Sequence, residues 1–148
     1  MWSQIAFRCI SGCIRRQVDI GDPITTDHYA FCFYDESSAP TLLYEMKFRS
    51  PSRFYWKGLG NPPLSKGVKY SSSGIPDGII KMSLKPGAAG KAKILVHGKG
   101  SLLPFVPGPA VVPVPLRVQL QAENGHCWEA RYTGPSVNDG ELFRAKSE

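Results

Sequence analysis

Several things are scarce in this chain, and each scarcity excludes something. No run approaches eighteen unbroken apolar residues, so a membrane-crossing helix is excluded. The N-terminal stretch MWSQIAFRCISGCIRR lacks a basic start, an apolar run and a small-residue cleavage site, so it carries no export signal, and the chain as given reads as cytoplasmic. No twelve-residue window holds a clean helical stripe away from Gly and Pro. Cysteine is too scarce for a disulfide-built fold of this size: Cys9, Cys13, Cys32 and Cys127 are the full complement. Cys9 and Cys13 can bridge only if the chain turns between them, because a strand would hold them about 13 Å apart.

Catalytic groupings are also missing. Three histidines with no acidic partner at a suggestive spacing do not make a triad, and Ser71 to Ser73 read as loop. The carboxylates Asp35, Glu36, Asp139 and Glu141 fall at turns and read as solvated caps. Gly98-Lys99-Gly100 is no phosphate loop, because a proline-rich segment rather than a helix follows. His28, Cys32, His126 and Cys127 are zinc-type ligands, but His126 and Cys127 point to opposite faces of one strand and cannot both converge on a metal. No metal and no cofactor is expected.

Short alternating stretches fill the chain. Gly and Pro make up nearly a fifth of it, 15 and 13 residues, which favours many strands with turns over long helices. Ile80, Met82 and Leu84 share one parity, and so do Ala92, Ile94 and Val96, across a Gly-rich turn. Strands are likewise expected over 28–35, 41–48, 53–57, 68–70, 114–121 and 126–132, with Arg15 to Ile20 as a further one. Phe54, Trp56 and Trp128 are expected in the core. Eight to ten short strands with no helix between them argue for an all-β antiparallel sandwich, with a barrel or jelly roll as the alternative. At 148 residues one domain is expected over 1–148, with 1–17 as an extra N-terminal strand or arm.

The blocks GDPITTDHYAFCFYDESS, WKG with KGVKY, IIKMSLKPGAAGKAKILVHGKG, PLRVQLQAENGHCWEARY and NDGELFRAKSE occur in this order. Together, from about Val18 to Glu148, they resemble a β-rich domain that recurs as the C-terminal module of exported proteins in environmental bacteria. The resemblance implies a fold and a modular role, and assigns no activity. Many relatives carry two further cysteines before the Trp-Lys block, where this chain reads RSPSRFYWK. The missing clip favours an intracellular or reduced form.

Net charge is +6 with a pI near 9.3. Lys and Arg are scattered, mostly one per strand on the polar parity, and only Arg15 and Arg16 are adjacent. That spacing reads as a solvated basic surface rather than a nucleic-acid patch. The candidate ligand-binding residues are Tyr55, Tyr70 and Trp56, as an aromatic carbohydrate platform, with core burial as the competing reading for Trp56. Cys32 and Cys127, each in an aromatic-rich strand, are expected as neighbours, either a disulfide or a core pair. The Pro-rich segment 101–115 is too apolar for a solvated loop. It reads as a lid on the core or as a self-association surface through Leu103, Phe105, Val106 and Val111, giving a two-fold homodimer. The expected function is a non-catalytic binding or interaction module with a protein or carbohydrate partner. A small hydrolase is the alternative, and nucleic-acid binding through the basic surface a weaker one.

Overall fold

The computed structural model describes residues 15–16, 21–62, 64–85, 93–103, 111–123, 125–139 and 143–144. In chain order the strands are β1 (Arg15–Arg16), β2 (Tyr29–Asp35), β3 (Thr41–Lys47), β4 (Trp56–Leu59), β5 (Gly67–Ser71), β6 (Ile79–Lys85), β7 (Lys93–Gly98), β8 (Leu116–Ala122), β9 (His126–Tyr132), β10 (Val137–Asn138) and β11 (Phe143–Arg144). Among the described residues there is no helix.

Two sheets form an open sandwich. One runs β9-β8-β2-β3, antiparallel throughout, with the two-residue β1 added parallel at the β9 edge; the other runs β4-β5-β6-β7, also antiparallel. Neither sheet closes on itself, so this is a sandwich and not a barrel. β10 and β11 make a separate small ribbon.

Alternation explains the core. Tyr29, Phe31 and Phe33 of β2 turn toward the second sheet, as do Leu120 and Ala122 of β8 and Trp128 of β9. From the second sheet Trp56, Val68, Tyr70, Met82 and Leu84 meet them. Tyr29, Phe48, Trp56 and Tyr70 form a ring cluster between the sheets, with centroids 4.9–5.5 Å apart along its contacts. The segment from Phe48 to Tyr55 crosses from one sheet to the other and serves this cluster: Trp56 Nε1 donates to the Arg49 carbonyl at 3.0 Å, and the Arg49 amide donates to the Tyr70 hydroxyl at 3.3 Å.

Three local features depart from simple strand alternation. The expected strand 53–57 begins only at Trp56, because Arg53 to Tyr55 form a turn; Phe54 therefore points outward, 95% exposed, instead of into the core. A bulge in the β2–β3 pairing sets Phe33 opposite Tyr44 but Tyr34 opposite Leu42, so Leu43 is the extra residue and Leu42 leaves the inward parity. The second parity of β2 is not solvated either: Ala30, Cys32 and Tyr34 form a buried cluster of their own.

Gly67 opens β5 at a φ of +108°, and a Cβ there would lie 2.0 Å from the Leu84 carbonyl oxygen. Gly125 has a φ of +91° with open space around it. Gly67→Ala should therefore cost at least about 2 kcal/mol, since strain and backbone collision combine, whereas Gly125→Ala should cost about 1 kcal/mol from strain alone. Urea midpoints would show the gap; equal costs would mean that the β5–β6 approach is not as close as this.

Candidate functional site: a lysine face on the four-stranded sheet

Each strand of the second sheet spends one parity on the core, which sends the other to the surface. In β4 that parity carries Lys57, in β5 Lys69 and Ser71, in β6 Lys81, Ser83 and Lys85, and in β7 Lys93, Leu95 and His97. The antiparallel register then aligns them into rows. Lys57 lies opposite Lys69, which lies opposite Ser83, which lies opposite Leu95. In the next rows Ser71, Lys81 and His97 are aligned, and Lys85 faces Lys93. All five lysines are exposed.

Charge along this part of the chain is not balanced locally. Residues 56–99 contain eight lysines and one acidic residue, Asp77, a net of +7, so the remaining residues together come to −1. Asp77 does not serve the lysine rows. Its carboxylate accepts the Lys47 amide at 2.6 Å, tying the β5–β6 loop to the end of β3. Burial pushes its pKa above the ordinary carboxylate value, against the hydrogen bond and charge from Lys47. Lys57 and Lys69, and likewise Lys85 and Lys93, are like charges directly across a strand pair, an arrangement that destabilises a sheet.

The outer face of the other sheet is the opposite case. Glu36 holds Arg117 at 3.1 Å and Arg131 at 2.7 Å, and Glu45 holds Lys47 at 3.3 Å. Gln121 donates to Gln119 at 2.7 Å, Gln119 donates to Glu129 at 2.8 Å, and the Arg117 guanidinium lies over the Tyr34 ring at 5.0 Å. Gln119 and Gln121 are buried, and their amides are hydrogen-bonded within this face, so they form a structural layer.

The residues singled out from the sequence fall as follows. Trp56 and Tyr70 are buried in the ring cluster and cannot offer a face to a ligand. Tyr55 is half-buried, its hydroxyl bonded to Arg49 and its ring beneath that guanidinium at 4.9 Å. The aromatic platform is therefore not assembled, because strand parity turns two of its three members inward. Leu103 also turns inward: it packs on the core and lies over Gly78 and Gly98, where an added Cβ would meet its side chain at 2.7–2.9 Å. Phe105 and Val106 lie outside the described residues. Val111 is exposed, and the return of its segment is clamped by Asn138, whose side chain donates to the Val112 carbonyl and accepts the Val112 amide, both at 2.8 Å. Ser72 is engaged in its own turn, donating to the Ile79 carbonyl at 2.7 Å and accepting from the Gly74 amide at 3.0 Å.

Cys32 and Cys127 are buried and each is disulfide-bonded. They are not bonded to one another. β8 runs between their strands, with Cys32 opposite Gln119 and Cys127 opposite Gln121, so their α-carbons are separated by two strand spacings and a two-residue offset, roughly 12 Å, beyond the reach of a disulfide. The expected pairing fails because both strands hydrogen-bond to the same middle strand. The other two cysteines, Cys9 and Cys13, lie outside the described residues.

The sequence signal for the lysine face was present but unread: one lysine per strand on the polar parity looks dispersed along the chain, and becomes a patch only once the strands are in register. No family model matches the chain, and no curated protein and no solved structure matches it.

Two predictions follow from this geometry. Lys69→Glu replaces a cross-strand repulsion with an attraction to Lys57, and should raise stability by roughly 0.5 kcal/mol, or about 1–3 °C in Tm at low salt. Scanning calorimetry at two salt concentrations checks it, and a fall in Tm would contradict the repulsion. Peptide mapping without reduction should find Cys32 and Cys127 in cross-linked peptides, and no species joining Cys32 to Cys127.

Proposed function

We propose that this chain is a non-catalytic binding module, and that its working surface is the lysine face of the β4-β5-β6-β7 sheet, which takes an anionic partner. The observation that carries the reading is the row structure itself: five exposed lysines on one side of one sheet, with two like-charge pairs directly opposed. A merely solvated surface intersperses the two signs, as the Glu36, Glu45 and Arg117 side does. Here a local rule of sheet stability is broken with no compensating contact among the described residues, which is where functional constraint is expected. An anion laid across the rows relieves the repulsion and turns a destabilising arrangement into an attractive one.

Partner recognition of this kind needs no enclosed cavity. Several lysines acting at once give affinity by summation, and their long stems adapt to a partner of varied shape. The resemblance to a module carried by longer chains supports the same role.

The test is binding to immobilised heparin, used as a generic polyanion. Retention should fall steeply with salt, because each neutralised anion releases condensed counterions. Lys57→Gln with Lys69→Gln should elute at clearly lower salt. A control with the same change in net charge, Ser38→Glu with Ala39→Glu in the exposed β2–β3 loop, should elute close to the unaltered protein. Equal losses in the two variants would mean that net charge, and not the face, governs binding, and would overturn the proposal.

A further inference from the structure

We infer that the anionic partner is a linear acidic polysaccharide, a polymer carrying carboxylates on successive sugars; this rests on the lysine face being the binding surface. Three features of the face select this chemistry over other polyanions.

The first is what lies between the charges. Ser71 and Ser83 sit within the rows, flanked by Lys69, Lys81 and Lys85. A sugar polymer alternates charge with hydroxyl groups, and a surface that alternates ammonium with hydroxyl side chains answers both in turn. Serine hydroxyls donate and accept, as a sugar hydroxyl requires.

The second is the kind of cation. Every basic residue in these rows apart from His97 is lysine, and arginine does not occur anywhere from residue 56 to residue 99. Lysine is a hydrated point charge without the planar fork with which arginine grips phosphate in two places. Many separate point contacts suit a flexible polymer bearing one charge per unit. Lys57 and Lys69 lie one strand spacing apart, roughly 5 Å, and Lys81 and Lys85 lie four residues apart on one strand, roughly 13 Å, so the charges can engage several units of one extended chain.

The third is geometric. Proteins that hold single-stranded nucleic acid stack its bases on aromatic rings. The lysine rows contain no Phe, Tyr or Trp; Tyr55, which shares the parity of Lys57, has its ring under Arg49. A broad four-stranded face also does not enter the major groove of a duplex, which admits a helix or a two-stranded ribbon. The disulfides at Cys32 and Cys127 belong to oxidising surroundings, where extracellular polysaccharide is met.

The experiment compares four probes at one ionic strength: polygalacturonate, neutral dextran, single-stranded DNA and duplex DNA, with the two nucleic acids matched in charge to the uronate. Polygalacturonate should bind most tightly and dextran not at all. Lys57→Gln with Lys69→Gln, and separately Lys85→Gln with Lys93→Gln, should each weaken uronate binding by about tenfold or more. Ser83→Val should weaken uronate binding while leaving any residual DNA binding unchanged. Phe54→Ala removes the exposed ring on the turn beside β4 and should change neither. Tighter binding to either DNA through the same lysines would overturn the polysaccharide assignment and leave the lysine face standing as the binding surface. So would a loss of binding in Phe54→Ala, since base stacking would then be at work. Binding to none of the charged probes would overturn both this inference and the reading it rests on.

Discussion

The sandwich depends on one cluster of rings. Tyr29 and Phe48 from one sheet and Trp56 and Tyr70 from the other meet edge-on or tilted at the point where the chain passes between the sheets. Rings in such arrangements contribute about 0.5–1.5 kcal/mol per pair beyond the area they bury, so a cluster of four is a large fraction of a typical domain's net stability. The cluster also sets direction. With Trp56 and Tyr70 held inward, alternation leaves Lys57 and Lys69 no choice but the surface, and every later strand of that sheet inherits the same division through its register.

The two outer faces of the sandwich then diverge in character. On the β9-β8-β2-β3 side, glutamates, arginines and glutamines are matched with one another, with Gln119 and Gln121 buried. On the β4-β5-β6-β7 side the lysines have no acidic neighbour among the described residues. Since isolated exposed ion pairs are worth little, the contrast matters less for stability than for what each face can do. A matched face attracts nothing in particular; an unmatched one holds a field that is screened only by salt.

Much of the fold was legible in the residues. The alternation in β2, β3, β6 and β9 marked them correctly as strands, and the Gly- and Pro-rich stretches marked the turns between. What misled was local. Phe54 looked like a core residue because the run Arg53 to Lys57 alternates, yet three of those residues are needed to turn the chain into β4. The outward turn of Leu42 is hidden because no one-residue bulge can be read from a pattern of polarity. For Leu103 the pattern left a core lid and a self-association surface both open, and the structure has it fill the space that Gly78 and Gly98 leave open.

By itself, the sequence determined the class of structure, an all-β chain of short strands, and the polarity of each strand's two sides, because a side chain's face follows from its parity. Tertiary structure alone decided who stands beside whom. Cys32 and Cys127 belong to strands that both pair with β8, so the strand between them keeps them apart. Lys57, Lys69, Lys81, Lys85 and Lys93 are spread over 37 residue positions of the chain, yet they share one face. The physical reason is that parity is a local property of the backbone, whereas register is a hydrogen-bonding relation between segments distant in the chain, and a surface patch exists only where register brings the parities together.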